Sequence, residues 1–350
     1  MITAALALQI GATNRYPQAA VVSDHHLASA IGAKVLSEGG NAVDAAVATG
    51  FALAVCFPAA GNIGGGGFMV IRRANGESFA LDYREIAPKA AFREMYLDAK
   101  GNPTSDSYLG YRAAGVPGTV AGFWEAHRRF GKLPWKRLVQ PAVTMAAKGF
   151  ELSAVQAGDF SSFGRLNKQF PATYRNFAAE GGGLKPGQLF RQVELAKTLE
   201  RIRDLGRDGF YKGKTAEEID SEMRSNKGLI TKEDLASYKP EWRQPLVGKW
   251  NGAEVITMPP PSSGGIIVLM MLGMLKDDDL KNSGLNSAGT IHLMAESMKR
   301  CFADRAEYMA DPGFAKVLIQ ELLDPIYLAS RRAEIGDQAT PSTVIKPGLE

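Results

Sequence analysis

The sequence predicts an α+β fold, on three observations. Apolar residues recur at helical spacing along most of the chain, an Asn75-Gly76 pair sits between two β-prone runs, and a second strand pair precedes another apolar helix. The 350 residues are 45% hydrophobic, ample for a sizeable core in one large domain or two average ones. Lys and Arg number 41 against 37 for Asp and Glu, a net charge of +4 without long basic runs, which argues against nucleic acid as the main partner.

The opening "MITAALALQIGA" is apolar but too short to span a bilayer, and it lacks the basic start of a complete secretory signal. It reads equally as the remnant of a signal and as an ordinary first segment. Next, "AAVVSDHHLASAIGAKVLSEGGN" predicts a short strand, a helix begun near Asp24 and a stop at Gly39-Gly40. His25 and His26 are adjacent and so face different sides of that helix, as solvated polar residues. A long helix follows in "NAVDAAVATGFALAVCFP", with Asn41 as N-cap, Asp44 at the capping-box position and Pro58 as the stop.

In "GNIGGGGFMVIRR", residues 61–73, four consecutive glycines stand directly before an apolar run. A phosphate cradle needs a strand before its glycines and a helix after them, so that free helical N–H groups point at the anion. Here the order is reversed. A helix precedes the glycines, and a hairpin of "FMVIRR" and "ESFALDYRE" turning at Ala74-Asn75-Gly76 follows. The loop is therefore read as close backbone packing or an unusual backbone path, not as a nucleotide site.

The chain then becomes mostly helical. Residues 117–150 hold two helical patterns separated by "FGKLPW", a third helix fits "RQVELAKTLERIRDLG", and "GLITKEDLASY" places Asp234 three residues after a cap-like Thr231. "EGGGLKPG" at 180–187 and "KDDDLKN" at 276–282 are read as loops. "PLVGKW" and "AEVITMP" form a strand pair leading into "PPPSSGGIIVLMMLGML", whose serines are read as helix caps, since no His or Lys base stands beside them. "TIHLMAESMKRCFADRAEYMAD" is helical, and the polar, proline-interrupted stretch from about Asp337 to Glu350 is expected to be flexible.

Few residues stand out chemically. Cys56 and Cys301 lie far apart without CxxC spacing, which points to buried free thiols and to neither a disulfide nor zinc. His292 and Glu296 are four apart on one helix face, but with no third ligand evident they are expected as an ordinary helix-surface pair, and no metal site is assigned. Arg84 ends the second hairpin strand, where Phe79, Leu81 and Tyr83 alternate with Ala80, Asp82 and Arg84. Its planar fork suits bidentate capture of a carboxylate. A salt bridge to Asp82 or Glu85 is the ordinary alternative, and on the residues alone it carries more weight.

Taken together, "EGGNAVDAAVA", "GNIGGGGFM", "DYREIAP", "VPGTVAGFWEAHRRFGKLPW", "ITKEDLASY", "MPPPSSGG" and "HLMAESMKRCFADRAEYMADP" resemble the gamma-glutamyltransferase (gamma-glutamyltranspeptidase, glutathione hydrolase) family over nearly the whole chain. The resemblance implies an N-terminal nucleophile hydrolase, a four-layer αββα sandwich whose precursor cuts itself into a large and a small subunit. Residues 1–350 then resemble the large subunit, one incomplete domain with helical additions around 117–235 and a flexible tail at 337–350 before the cleavage site. By the same resemblance the nucleophile is a threonine at the start of the small subunit, with its own α-amine as base, so no catalytic residue is expected in this chain. The arginine of "REIAP" maps onto Arg84 and is implied to bind the α-carboxylate of the γ-glutamyl group, which reverses the balance above.

The implied partners are the small subunit, glutathione and other γ-glutamyl compounds, and amino acid or peptide acceptors. No cofactor, nucleic acid or membrane insertion is expected, and the implied location is periplasmic or secreted. Two alternatives stand beside this reading: a cephalosporin acylase or poly-γ-glutamate-cleaving relative, and a non-catalytic carboxylate-binding homologue.

Overall fold

A computed structural model describes residues 18–178, 183–275 and 277–349, so the apolar opening segment and most of the glycine run at 181–183 lie outside the described residues. The chain divides into two compact units, Met1–Gly66 with Arg84–Lys239 and Gly67–Tyr83 with Pro240–Glu350.

The first unit opens with helix α1 (His26–Ser37). Residues 19–23 form no strand, and the helix is capped by His25, whose Nδ1 accepts from the Leu27 N–H at 3.2 Å. That cap buries His25, against the solvated placement expected. Its ring stacks on His26 at 4.7 Å and its Nε2 lies 2.9 Å from the Gln156 amide nitrogen, and burial pulls its pKa down. Helix α2 (Ala42–Cys56) carries the expected capping box: Asn41 Oδ1 accepts from the Val43 and Asp44 N–H groups, and Asp44 Oδ2 accepts from the Asn41 N–H. Small apolar residues on nearly every face let α2 be buried all round, and Asp44 further accepts from the Lys132 and Leu133 N–H groups.

After Gly66 the chain passes into the second unit as the hairpin β1 (Phe68–Arg72) and β2 (Ser78–Asp82), with Phe68 opposite Asp82 and Arg72 opposite Ser78. Gly76 sits at φ +88° in the expected turn, a conformation open to glycine at no steric cost. From Arg84 the first unit resumes and reaches helices α3 (Thr119–Phe130) and α4 (Trp135–Lys148). The short strands β3 (Phe150–Glu151) and β4 (Leu189–Phe190) pair around α5 (Ala154–Leu166) and α6 (Pro171–Phe177). Helices α7 (Val193–Leu205), α8 (Asp208–Tyr211), α9 (Gly213–Ser225) and α10 (Lys232–Ser237) follow, the last with the expected Thr231–Asp234 capping box. The core of this unit forms where α2, α3, α4 and α7 meet. Phe51 lies edge-on to Phe123 at 5.2 Å and to Trp135 at 5.5 Å, and the Trp135 indole donates to the Ile202 carbonyl at 2.8 Å.

In the second unit, β5 (Glu241–Arg243) joins β2 to complete a three-stranded antiparallel sheet in the order β1-β2-β5. Strands β6 (Leu246–Trp250) and β7 (Ala253–Thr257) form the expected pair. Helix α11 (Gly264–Met274) begins as expected, but Ser263 does not cap it with its side chain: its backbone is already helical (φ −78°, ψ −20°), and its hydroxyl accepts from Arg305 Nε at 2.9 Å. Helix α12 (Asp277–Ser283) replaces most of the loop expected at 276–282, and Lys281 in its last turn complements the helix dipole. Helices α13 (Ala288–Tyr308), α14 (Ile319–Leu322) and α15 (Pro325–Ala333) complete the unit. Ile266, Met270 and Met274 of α11 pack there with Cys301, Leu322 and Leu328. Cys56 and Cys301 are buried free thiols, as expected.

Glu296 is not half of a surface pair with His292. It is buried, its Oε2 accepts from Arg300 Nη1 at 2.8 Å, and its Oε1 accepts from Lys299 Nζ and from the Thr340 N–H, the latter at 3.0 Å. His292 instead lies 2.8 Å from the Gly336 carbonyl. This ion-pair cluster also holds the stretch expected to be flexible. Arg331 pairs with the buried Asp304 at 3.2 Å and donates to the Lys346 carbonyl at 3.1 Å, the Gly348 N–H donates to Asp304 at 2.9 Å, and Tyr308 donates to the Leu349 carbonyl at 2.6 Å. Polar composition read as solvated chain is here consumed by buried charges.

Candidate functional site

Arg84 lies two residues beyond the end of β2, where the chain resumes the first unit. The expected alternation supplies no polar face, because Ala80, Leu81, Asp82 and Tyr83 are all buried and burial pushes the Tyr83 phenol up to about 12. The Arg84 side chain is half exposed, at 54%, with its Nε 3.6 Å from Glu85 Oε2. That ion pair is longer than a charge-assisted hydrogen bond, and an exposed pair of this kind contributes about 0–1 kcal/mol.

The main chain beneath the guanidinium is held at three points. The Arg84 carbonyl accepts from the Tyr238 hydroxyl at 2.8 Å. Ile86 and Val116 exchange N–H···O bonds of 3.3 and 2.8 Å, and the Lys89 N–H donates to Asp234 Oδ1 at 3.1 Å. Burial works against the Asp234 carboxylate, yet hydrogen bonds from Lys89 and Thr231 more than offset it and keep its pKa below the usual range. Gly115 is needed beside this segment, since a Cβ there would stand 2.8 Å from Glu85 Cβ.

The glycine loop is built by packing. Asn62 Oδ1 accepts from the Gly65 N–H at 2.7 Å and the Thr119 hydroxyl at 3.2 Å, while the Gly65 carbonyl accepts from the Gly118 and Thr119 N–H groups at 2.7 and 3.0 Å. N–H groups at the start of α3 thus already bond the loop's own carbonyl. A Cβ at Gly61 would come within 2.4 Å of the Leu53 backbone, and one at Gly65 within 2.6 Å of Asn62 Oδ1. No residue from Gly61 to Gly67 has positive φ, so close approach rather than an unusual path explains these two glycines; Gly64 meets nothing within 4 Å, and packing does not explain it.

The sequence names Arg84 as a candidate and does not single out Tyr238 or Asn62, which hold this segment and the glycine loop. Asn62, two residues before the glycines, carried the available signal, because Asn folds its side chain back onto nearby backbone N–H groups. Tyr238 closes the segment "ITKEDLASY", but nothing local signals a hydroxyl partner 154 residues away. Among the described residues no group of three or more His, Cys, Asp or Glu could hold a metal, and no helix is long and apolar enough to cross a membrane.

Comparison with known proteins places the chain. Residues 28–348 match the gamma-glutamyltranspeptidase family model. The chain is 49% identical over 338 residues to a glutathione hydrolase proenzyme of Pseudomonas aeruginosa, covering 95% of this chain and 59% of that protein. It is 46% identical over 337 residues to the glutathione hydrolase proenzyme of Escherichia coli K12, covering 95% and 58%. The crystal structure of Helicobacter pylori gamma-glutamyltranspeptidase superposes with a TM-score of 0.93 at 45% identity, covering 95% of this chain and 97% of that one. The α+β fold is therefore that of the N-terminal nucleophile hydrolases, and the chain matches the large-subunit portion of its solved relatives. It belongs to the gamma-glutamyltranspeptidase family. It spans less than two thirds of the curated relatives' length.

Proposed function

We propose that this chain is the large subunit of a self-cleaving enzyme that breaks the γ-glutamyl amide bond of glutathione and related compounds and passes the γ-glutamyl group to water or to amino acid and peptide acceptors. The observation that carries the reading is 49% identity, over 95% of the chain, to a glutathione hydrolase proenzyme. In this reading Arg84 receives the donor's α-carboxylate. Its half-exposed fork on a pinned main chain supports the role, since a planar guanidinium suits bidentate capture of a carboxylate. The nucleophile is the N-terminal threonine of the small subunit, whose hydroxyl attacks the γ-carbonyl, displaces the amine and leaves an ester that water or an acceptor amine resolves.

A partner subunit is supported by α13, where Ile291, Met294, Met298 and Phe302 lie three to four residues apart along one face and are 43–58% exposed in this chain. The reading also places the protein in the periplasm or outside the cell, which fractionation of expressing cells would check. The deciding experiment compares the full-length precursor with residues 1–350 alone, each supplied with glutathione. The precursor should cleave itself and release glutamate, and the isolated chain should release none. Robust turnover by the isolated chain would place a nucleophile within it and sink the proposal.

A further inference from the structure

We infer that Tyr238 is a positioning residue for Arg84: through one buried hydroxyl it fixes the main chain that carries the guanidinium, and so sets how tightly a donor's α-carboxylate is held. This rests on the reading of Arg84 given above.

Tyr238 directly follows α10 and is 1% exposed. Its ring is locked from one side by Tyr211, stacked at 5.8 Å with 11° between the planes. Tyr211 is itself fixed, since its hydroxyl donates to the Pro117 carbonyl at 2.7 Å and accepts from the Ala121 N–H at 3.3 Å. The Arg207 guanidinium lies 4.5 Å from the centre of the Tyr211 ring and donates Nη2–H to the Tyr238 carbonyl at 2.6 Å. With ring and main chain both held, the phenolic hydrogen is directed at the Arg84 carbonyl.

The same short element grips the other end of the segment, because Asp234 of α10 accepts from the Lys89 N–H. Arg84 to Lys89 is therefore clamped at both ends by one helical turn. The guanidinium stands at the end of a long arm, so a small rotation of the Arg84 main chain moves the fork by much more than the rotation moves the carbonyl. Two parallel N–H···O bonds tolerate little of that displacement, and a misplacement of about 1 Å at a positioning group can cost about 100-fold. Tyr238 acts through Arg84 on the carboxylate, away from the reacting amide, so its loss should appear in KM rather than kcat.

The test uses the full-length precursor as wild type, Tyr238→Phe, Arg84→Ala and the double variant, with self-cleavage followed on a gel and steady-state kinetics on glutathione. Tyr238→Phe should raise KM about 3- to 10-fold with kcat within about two-fold, and in the Arg84→Ala background the same change should move KM by less than about two-fold, because no guanidinium is left to position. An unchanged KM in Tyr238→Phe beside a raised KM in Arg84→Ala overturns this inference alone. An unchanged KM in Arg84→Ala instead overturns the assignment of Arg84. If Tyr238→Phe does not mature, Asp234→Asn, which loosens the Lys89 end, should give the same rise in KM; an unchanged KM there, or failure of both variants to mature, assigns this turn to folding only and overturns the inference.

Discussion

Asp82 on β2 and Arg243 on β5 meet at 2.8 Å, Oδ2 to Nε, with side chains only 8% and 20% exposed. The register puts Asp82 directly opposite Glu241, two carboxylates that repel at that spacing, and Arg243 joins them by also donating Nη2–H to Glu241 at 2.7 Å. One guanidinium thus holds together the pairing that adds the third strand.

Arg243→Ala removes that bridge and leaves two acids facing each other across the β2–β5 pairing. The expected cost is about 2–4 kcal/mol, below the upper range for a fully buried pair because Glu241 reaches solvent. Arg243→Lys, which keeps charge but loses the fork, should recover part of it. Urea denaturation of the mature protein measures both. A loss under about 0.5 kcal/mol in the alanine variant would class the pair with ordinary surface ion pairs.

What the sequence shows legibly is what local spacing encodes. Asn41 with Asp44 and Thr231 with Asp234 each close a capping box over three residues, and Asn75-Gly76 closes its hairpin within one turn. Partnerships that form only after distant segments meet are illegible. Strand β5 is three residues long and has no period to detect, Glu296 resembles any helix-surface acid until Arg300 and Thr340 arrive, and Ser263 looks like a cap until its own helical backbone turns the hydroxyl elsewhere. Arg84 itself came from resemblance to a family. Strand alternation could not have located it, because β2 is covered on both edges by other strands and its last residues are buried whichever way they point.

Arg84→Lys in the full precursor should leave self-cleavage intact while weakening the donor. Lysine keeps the charge but replaces the two-pronged donor with a single mobile ammonium, a loss of about 1.5–3 kcal/mol, or roughly 10- to 150-fold in kcat/KM on glutathione. Alanine should be worse. If the carboxylate is held equally in ground and transition states, the loss falls on KM with kcat little changed. Normal kcat/KM in both variants would make Arg84 a surface residue paired with Glu85.

The glycine run should not bind nucleotides. The Gly118 and Thr119 N–H groups at the start of α3 are spent on the Gly65 carbonyl, and a strand rather than a helix follows Gly67. ATP or NAD at millimolar concentration should therefore leave the melting temperature of the assembled protein unchanged, whereas a ligand with a Kd one hundredth of its concentration would stabilise it by about 2.7 kcal/mol. A saturable rise in Tm would show a phosphate site where none is expected.

Acid should loosen the hold on residues 337–349 through Glu296. Burial alone would raise its pKa, but hydrogen bonds from Lys299, Arg300 and the Thr340 N–H outweigh burial and bring it from 4.5 down to about 2. A carboxyl with a depressed folded pKa contributes stability in full above its unfolded pKa and loses it as protons bind to the folded state. Stability from this group should therefore be complete above about pH 4.5 and fall progressively toward pH 2. Asp304 works in the opposite sense, since burial pushes its carboxyl up and the bonds from Tyr327, Arg331 and Gly348 offset this only in part, so general acid unfolding is a poor readout of either group. Glu296→Gln isolates the effect. The variant should be less stable than wild type at pH 7, where Lys299 and Arg300 lose their shared carboxylate, and the gap should narrow steadily between pH 4.5 and 2 as the wild-type carboxylate is neutralised. Urea midpoints of both proteins across that range supply the comparison, and a gap that stays constant with pH would show that the anchoring of the tail does not depend on this charge.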